Sequence, residues 1–161
     1  RRVFMKKSIL IIFLIILSFV LPADAAYRPY GEITISTAKE MIANIENPDD
    51  IVGIYDLIKG SYHGRFMIIP NKESIRPEAA YVAFAVESPN YNEKSGNVKF
   101  FLTPTDSETL FNVEYYEYGD MGTVRYNRKA MCANGQIIIH IYKIPSYPPN
   151  IFVKTFSAPS D

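Results

Sequence analysis

Residues 109–131 read TLFNVEYYEYGDMGTVRYNRKAM, and this stretch decides the fold. Two runs rich in β-branched and aromatic residues flank Gly119-Asp120-Met121-Gly122, a turn signal. Folding back at that turn pairs Tyr118 with Thr123, Glu117 with Val124, Tyr116 with Arg125, Tyr115 with Tyr126, Glu114 with Asn127 and Val113 with Arg128. Strand alternation then sorts the side chains. One face carries Phe111, Val113, Tyr115, Val124, Tyr126 and Ala130, together with Glu117 and Arg128. The other carries Asn112, Glu114, Tyr116, Tyr118, Thr123, Arg125, Asn127 and Lys129. The first is the core face. The second is solvated, with Tyr116 and Arg125 placed to stack.

Working outward, the same texture repeats. Strands are expected near Val52–Lys59, Tyr62–Ile69, Ala80–Glu87, Asn97–Leu102, Gln136–Ile144 and Ile151–Phe156, besides the two of the hairpin. The breaks between them hold the Gly, Pro, Asn, Asp and Ser that turns need. Ahead of them, Ile35–Asn47 reads as the single helix, capped by Ser36 or Thr37 and stopped by Asn47-Pro48. Ile35, Met41, Ile42 and Ile45 give it an apolar stripe. Links this short leave no room for crossover helices, so the sheet is antiparallel. Eight strands favour closure into an up-and-down β-barrel, which removes the exposed edges; a β-sandwich is the alternative.

The N-terminus reads as an export signal. Met5 is the expected start, with Arg1 to Phe4 upstream of it. Lys6-Lys7 form a charged region, Ile9 to Leu21 are apolar except for Ser18, and Pro22 is followed by Ala23-Asp24-Ala25. Thirteen helical residues span about 20 Å, short of the ~30 Å of a bilayer core. Cleavage is expected between Ala25 and Ala26. Residues 1–25 are then upstream and signal sequence, and 26–161 one barrel domain outside the cytoplasm, periplasmic or secreted.

The whole chain of 161 residues balances 17 basic against 17 acidic residues. Losing the signal removes four of the former and one of the latter, which leaves a mildly acidic domain. A nucleic-acid partner would ask for a basic face. One cysteine excludes a disulfide framework.

Chemistry-bearing motifs are few. His63 and His140 form no His-x-His pair, and Cys132 is a lone thiol beside the Asn134-Gly135 turn. Glu114 and Glu117 point to opposite faces, and Asp49-Asp50 look like solvated turn residues. No phosphate loop or nucleophile elbow is present. No cofactor is implied, and a binding protein is expected rather than an enzyme. The residue that stands out is Arg128, a charge on the core face opposite Val113. It either caps a wet barrel rim or anchors a ligand carboxylate or phosphate, for which its forked guanidinium is suited.

Gly53-Ile54-Tyr55 opening the first strand, after a signal and a short helix, resembles the start of small lipocalin-like (calycin) barrels, where Gly-x-Trp stands at this place. Tyr55 occupies the Trp position, and Thr105-Asp106 echoes a second family motif, earlier in the chain than the family has it. The layout is also similar to periplasmic barrel inhibitors of lysozyme type. The resemblance implies a monomeric carrier of a small apolar or amphipathic ligand. Phe84, Phe100, Tyr115 and Tyr126 would line the barrel, and Arg128 would hold the polar head. The alternative is a protein-binding or inhibitory barrel that meets an extracytoplasmic partner through the Pro70–Pro77 and Ser88–Gly96 loops.

Overall fold

The computed structural model describes residues 27–157, except 60–61, 73–75, 89 and 145, and omits the side chains of 59 and 62. The export signal and its cleavage point lie outside the described residues. Helix α1 spans Ile35–Ala43. It is followed by β1 (Gly53–Lys59), β2 (Tyr62–Pro70), β3 (Tyr81–Glu87), β4 (Val98–Pro104), β5 (Leu110–Gly119), β6 (Gly122–Ala133), β7 (Gln136–Ile139) and β8 (Asn150–Phe156). Every neighbouring pair is antiparallel, and β8 returns to pair with β1, so the eight strands form a closed barrel rather than a sandwich.

The wall carries two separate cores. Inside the barrel, Tyr55, Leu57, Phe66, Ile68, Phe100, Leu102, Tyr115 and Phe152 pack with small residues such as Ala83, Ala85 and Ala130. The rings of Phe66 and Phe100 each meet Phe152 edge to face, at 5.5 and 5.3 Å, and Phe100 stacks on Tyr115 at 6.2 Å. Outside the barrel, α1 and the segment before it cover β1–β4. Ile33, Ala38 and Ile42 are buried there against Ile54, Met67, Val82, Phe84, Val86 and Phe101. The helix contributes a one-sided apolar stripe, and a stripe of that kind needs a second apolar face to cover it.

The β5–β6 register is the one the hairpin sequence implies, from Val113 opposite Arg128 to Tyr118 opposite Thr123. Five local expectations are corrected. The helix ends at Ala43, four residues early, and its N-cap is Thr34, whose hydroxyl accepts from Thr37 N at 3.1 Å. Strand β7 stops at Ile139 instead of Ile144, because Arg128 Nε takes the Ile141 carbonyl and draws the chain off the ladder. Val124, expected in the core, is 51% exposed. β6 is paired with β7 only over Ala130–Ala133, and the β4–β5 ladder stops at Tyr115, so the tip of the hairpin outruns the barrel. Tyr118, expected in solvent, is buried, with its hydroxyl donating to the Val98 carbonyl. The Tyr116–Arg125 stack is replaced by other contacts. Tyr116 packs edge to face on Phe101 and donates to Glu114, while Arg125 lies 3.7 Å from the same carboxylate.

Candidate functional site

The two ends of the barrel differ. At the end where β1, β3, β5 and β7 begin, the interior opens into a mouth cavity of about 340 Å³. Its walls include Tyr55, Tyr81, Phe111, Cys132 and Ile137, with Asp49, Asp50 and Glu108 also lining it. Two of the aromatic walls are fixed by their hydroxyls. Tyr55 donates to the Ile51 carbonyl at 2.9 Å, and Tyr81 donates to Asp49 Oδ2 at 2.5 Å. Burial pushes both phenols well above their ordinary range; Cys132 and then Asp50 add to it at Tyr55, and Asp49 adds to it at Tyr81. The Lys154 ammonium reaches the Asp50 carbonyl and lies 5.6 Å from the Tyr55 ring centre; burial lowers its pKa against the pull of Asp50. Burial also raises the Cys132 thiol to about 12, which favours its protonated form at neutral pH.

The opposite end is shut. The loop between β3 and β4 folds across it and is tied from three directions. Ser95 Oγ accepts from Ile33 N at 2.8 Å. Asn92 Nδ2 donates to Asp120 Oδ1 at 2.8 Å, in the β5–β6 turn, and Asn90 Nδ2 donates to the Tyr118 carbonyl at 2.8 Å. Gly96 sits at φ +85, and an added Cβ would lie 1.6 Å from the Gly31 carbonyl oxygen, so only glycine fits under that segment. The third tie is internal. Glu93 Oε1 accepts from Lys99 Nζ at 2.6 Å, with both side chains buried. The ammonium lies 4.9 and 5.6 Å from the ring centres of Tyr115 and Phe66. Asn150 Nδ2 donates to the Tyr115 hydroxyl at 2.9 Å. Glu93 Oε2, Asn150 Oδ1 and both side-chain polar atoms of Asn97 are buried without a hydrogen-bond partner among the described residues.

The five residues nominated from sequence do not share one cavity. Phe100 and Tyr115 are inside the barrel, as expected, but in its packed section and not in the walls of the mouth. Phe84 is corrected: it points out of the barrel, into the second core, where the Tyr30 ring meets it at 5.3 Å. Tyr126 is half-buried near the hairpin tip and packs on Tyr142 at 6.1 Å. Arg128 donates through Nε to the Ile141 carbonyl and through Nη1 to the Asn127 carbonyl at 2.8 Å, and its guanidinium lies over the Tyr126 ring. These contacts tie Arg128 to the chain beyond β7, and the residue also lines a second cavity of about 540 Å³ with Arg76, Glu114 and Lys143.

Sequence reasoning missed the mouth set, Tyr55, Tyr81 and Phe111, and the Glu93–Lys99 pair. The mouth residues sit at strand starts, and that shared position was the available signal. Lys99 had none, because β4 carries a bulge there: Ala83 pairs with Phe100 but Phe84 pairs with Val98. The extra residue turns inward where simple alternation would not place it. Among the described residues no cluster of His, Cys, Asp and Glu could hold a metal ion, and no helix is long and apolar enough to cross a membrane. No family model, curated protein or solved structure matches the chain.

Proposed function

We propose that this is an exported, lipocalin-like binding barrel that takes one small amphipathic molecule in its open mouth and performs no chemistry on it. The single observation that carries the reading is the mouth cavity of about 340 Å³, above the roughly 300 Å³ at which ligand pockets begin. Tyr55, Tyr81, Phe111 and Ile137 offer an apolar bed, and Asp49, Asp50 and Glu108 favour a ligand whose polar end is cationic. The ligand is small, because the rings of Phe66, Phe100 and Phe152 fill the barrel beyond the mouth. Carboxylates, not Arg128, then meet the polar head, which reverses the charge expected of it.

Native mass spectrometry of the protein purified from its host tests this directly, with a retained small-molecule adduct as the expected result. A titration with dansyl cadaverine, an aromatic amine, gives saturable binding that Thr109→Trp, a substitution filling the mouth, abolishes without loss of thermal stability. A dry protein that also ignores the amine, or an amine affinity indifferent to Thr109→Trp, overturns the reading.

A further inference from the structure

We propose that the free edge of β6 receives an extended segment of another protein in which acidic and apolar side chains alternate. This surface is separate from the mouth. Strand β6 has twelve residues and its neighbour β7 has four. On the β5 side the ladder runs from Met131 opposite Leu110 to Gly122 opposite Gly119. On the β7 side it covers only Ala130–Ala133. Cys132 N donates to the Thr109 carbonyl at 2.8 Å. Even-numbered residues of β6 therefore turn their backbone groups to β5, and odd-numbered ones turn theirs away from it. From the turn to Asn127 the odd set is Thr123, Arg125 and Asn127; no described strand pairs with them on that side, and of their backbone groups the Asn127 carbonyl accepts from Arg128 Nη1. The chain just after β7 meets β6 through side chains, Arg128 on the Ile141 carbonyl and Tyr126 on Tyr142, and forms no ladder with it.

A row of unpaired backbone groups in a strand is a template for one more strand. Charge selects the occupant. β6 carries Arg125, Arg128 and Lys129 and no acidic residue. A second copy laid antiparallel on it would set this basic row against itself, which opposes pairing. An incoming strand with carboxylates beside Arg125 and Lys129, both exposed, is attracted instead. On its other face the same strand would lie beside Val124, 51% exposed, and half-buried Tyr126, which ask for apolar side chains. Alternation of a strand supplies both at once.

Amide hydrogen exchange followed by NMR tests this, with two synthetic peptides as probes, one alternating Glu with Val and one alternating Lys with Val. In the free protein the Val124, Tyr126 and Arg128 amides are expected to be protected, and those of Thr123, Arg125 and Asn127 to exchange freely. The Glu peptide, at roughly millimolar concentration, protects the latter three, and the Lys peptide does not. Arg125→Glu with Lys129→Glu weakens the Glu peptide roughly tenfold while the spectrum stays dispersed. Should that double variant not fold, Arg125→Gln alone carries the comparison and weakens binding to a smaller extent. Protection of the three amides in the free monomer overturns the proposal, as does equal binding of both peptides. Protection that grows with protein concentration alongside a dimer mass overturns it too, in favour of a second copy.

Discussion

Strands β3 and β6 both lie inside the sheet with a strand on either side, yet they are buried in opposite ways. From Val82 to Val86, β3 has no exposed residue: Ala83 and Ala85 face the barrel interior, and Val82, Phe84 and Val86 face the layer under α1. In β6 only Ala130 is buried. The same barrel therefore has a wall covered on both sides, at β1–β4, and a wall wetted on one side, at β5 and β6. A doubly covered strand reads as a continuous apolar run, and a singly covered one alternates. That contrast explains which residues could be assigned from sequence, and it predicts where substitutions hurt.

The largest expected effect compares two rings on the covered wall. Phe100→Ala empties the barrel interior, and Phe84→Ala empties the outer layer; both residues are fully buried. Each is expected to cost about 3–5 kcal/mol in urea or thermal unfolding. Near-equality would establish the outer layer as a core in its own right. A Phe84→Ala cost below about 1 kcal/mol would reduce α1 to a loosely attached cover and break the comparison.

Next in size is the ion pair under the cap. Glu93→Gln leaves the Lys99 ammonium buried without its carboxylate, and Lys99→Met leaves the Glu93 carboxylate without its ammonium. Each is expected to cost about 3–5 kcal/mol. The double variant is expected to cost less than the sum of the two, because neither charge is then stranded. A strictly additive double-mutant cycle would mean that the two groups do not meet inside the barrel, and that the shut end is shut by its backbone ties alone.

The sequence was most legible where one face is wet. In β5 and β6 the alternation and the Gly119–Gly122 turn set the register residue by residue. In β3 the run Val82, Ala83, Phe84, Ala85, Val86 is apolar throughout, so no pattern tells inward from outward, and Phe84 was assigned to the wrong side. The existence of eight strands and their order follow from turn chemistry and short links, which are local. Where the hairpin outruns its neighbours, and where Lys99 is turned inward by a bulge, depends on the lengths of other strands and on non-local pairing. The mouth escaped notice for the same reason, since Tyr55, Tyr81, Phe111 and Ile137 are far apart in sequence and meet only once the barrel closes.

On the wetted wall, pH gives a smaller and signed effect. Burial alone would raise the pKa of Glu114, but hydrogen bonds from Arg76 and Tyr116, with the charges of Arg76 and Arg125, outweigh it and hold the carboxyl below its ordinary 4.5. A carboxyl lowered by folding stabilises the fold above its unfolded pKa and loses that stabilisation as pH falls through the folded value. Stability is therefore expected to decline below about pH 4.5, and Glu114→Gln to flatten that decline by up to about 1 kcal/mol, read as urea midpoints at pH 7 and pH 3. An unchanged acid limb in the variant would assign acid sensitivity to other carboxylates. The Tyr116 phenol works at the other limit. Burial first, and Glu114 second, raise it from 10 to about 12, so its share of stability is complete below pH 10 and is lost as pH rises through 12.

The smallest effect is the sharpest test of where the covered wall ends. Val124 belongs by alternation to the face that buries Val113 and Tyr115, yet it is more than half exposed, while its neighbours Tyr126 and Glu117 are met by the Tyr142 ring and hydroxyl. Val124→Thr keeps the β-branched shape and replaces a methyl with a hydroxyl, so any penalty reports burial and not strand propensity. The expected change is within about 0.5 kcal/mol, while the same substitution at Val113, buried on that face, is expected to cost about 1–3 kcal/mol. A penalty at Val124 matching that at Val113 would mean that the tip is covered in solution. Such a cover would come from the 140–149 segment or from a second molecule on the β6 edge, and dilution, which removes only the latter, distinguishes them.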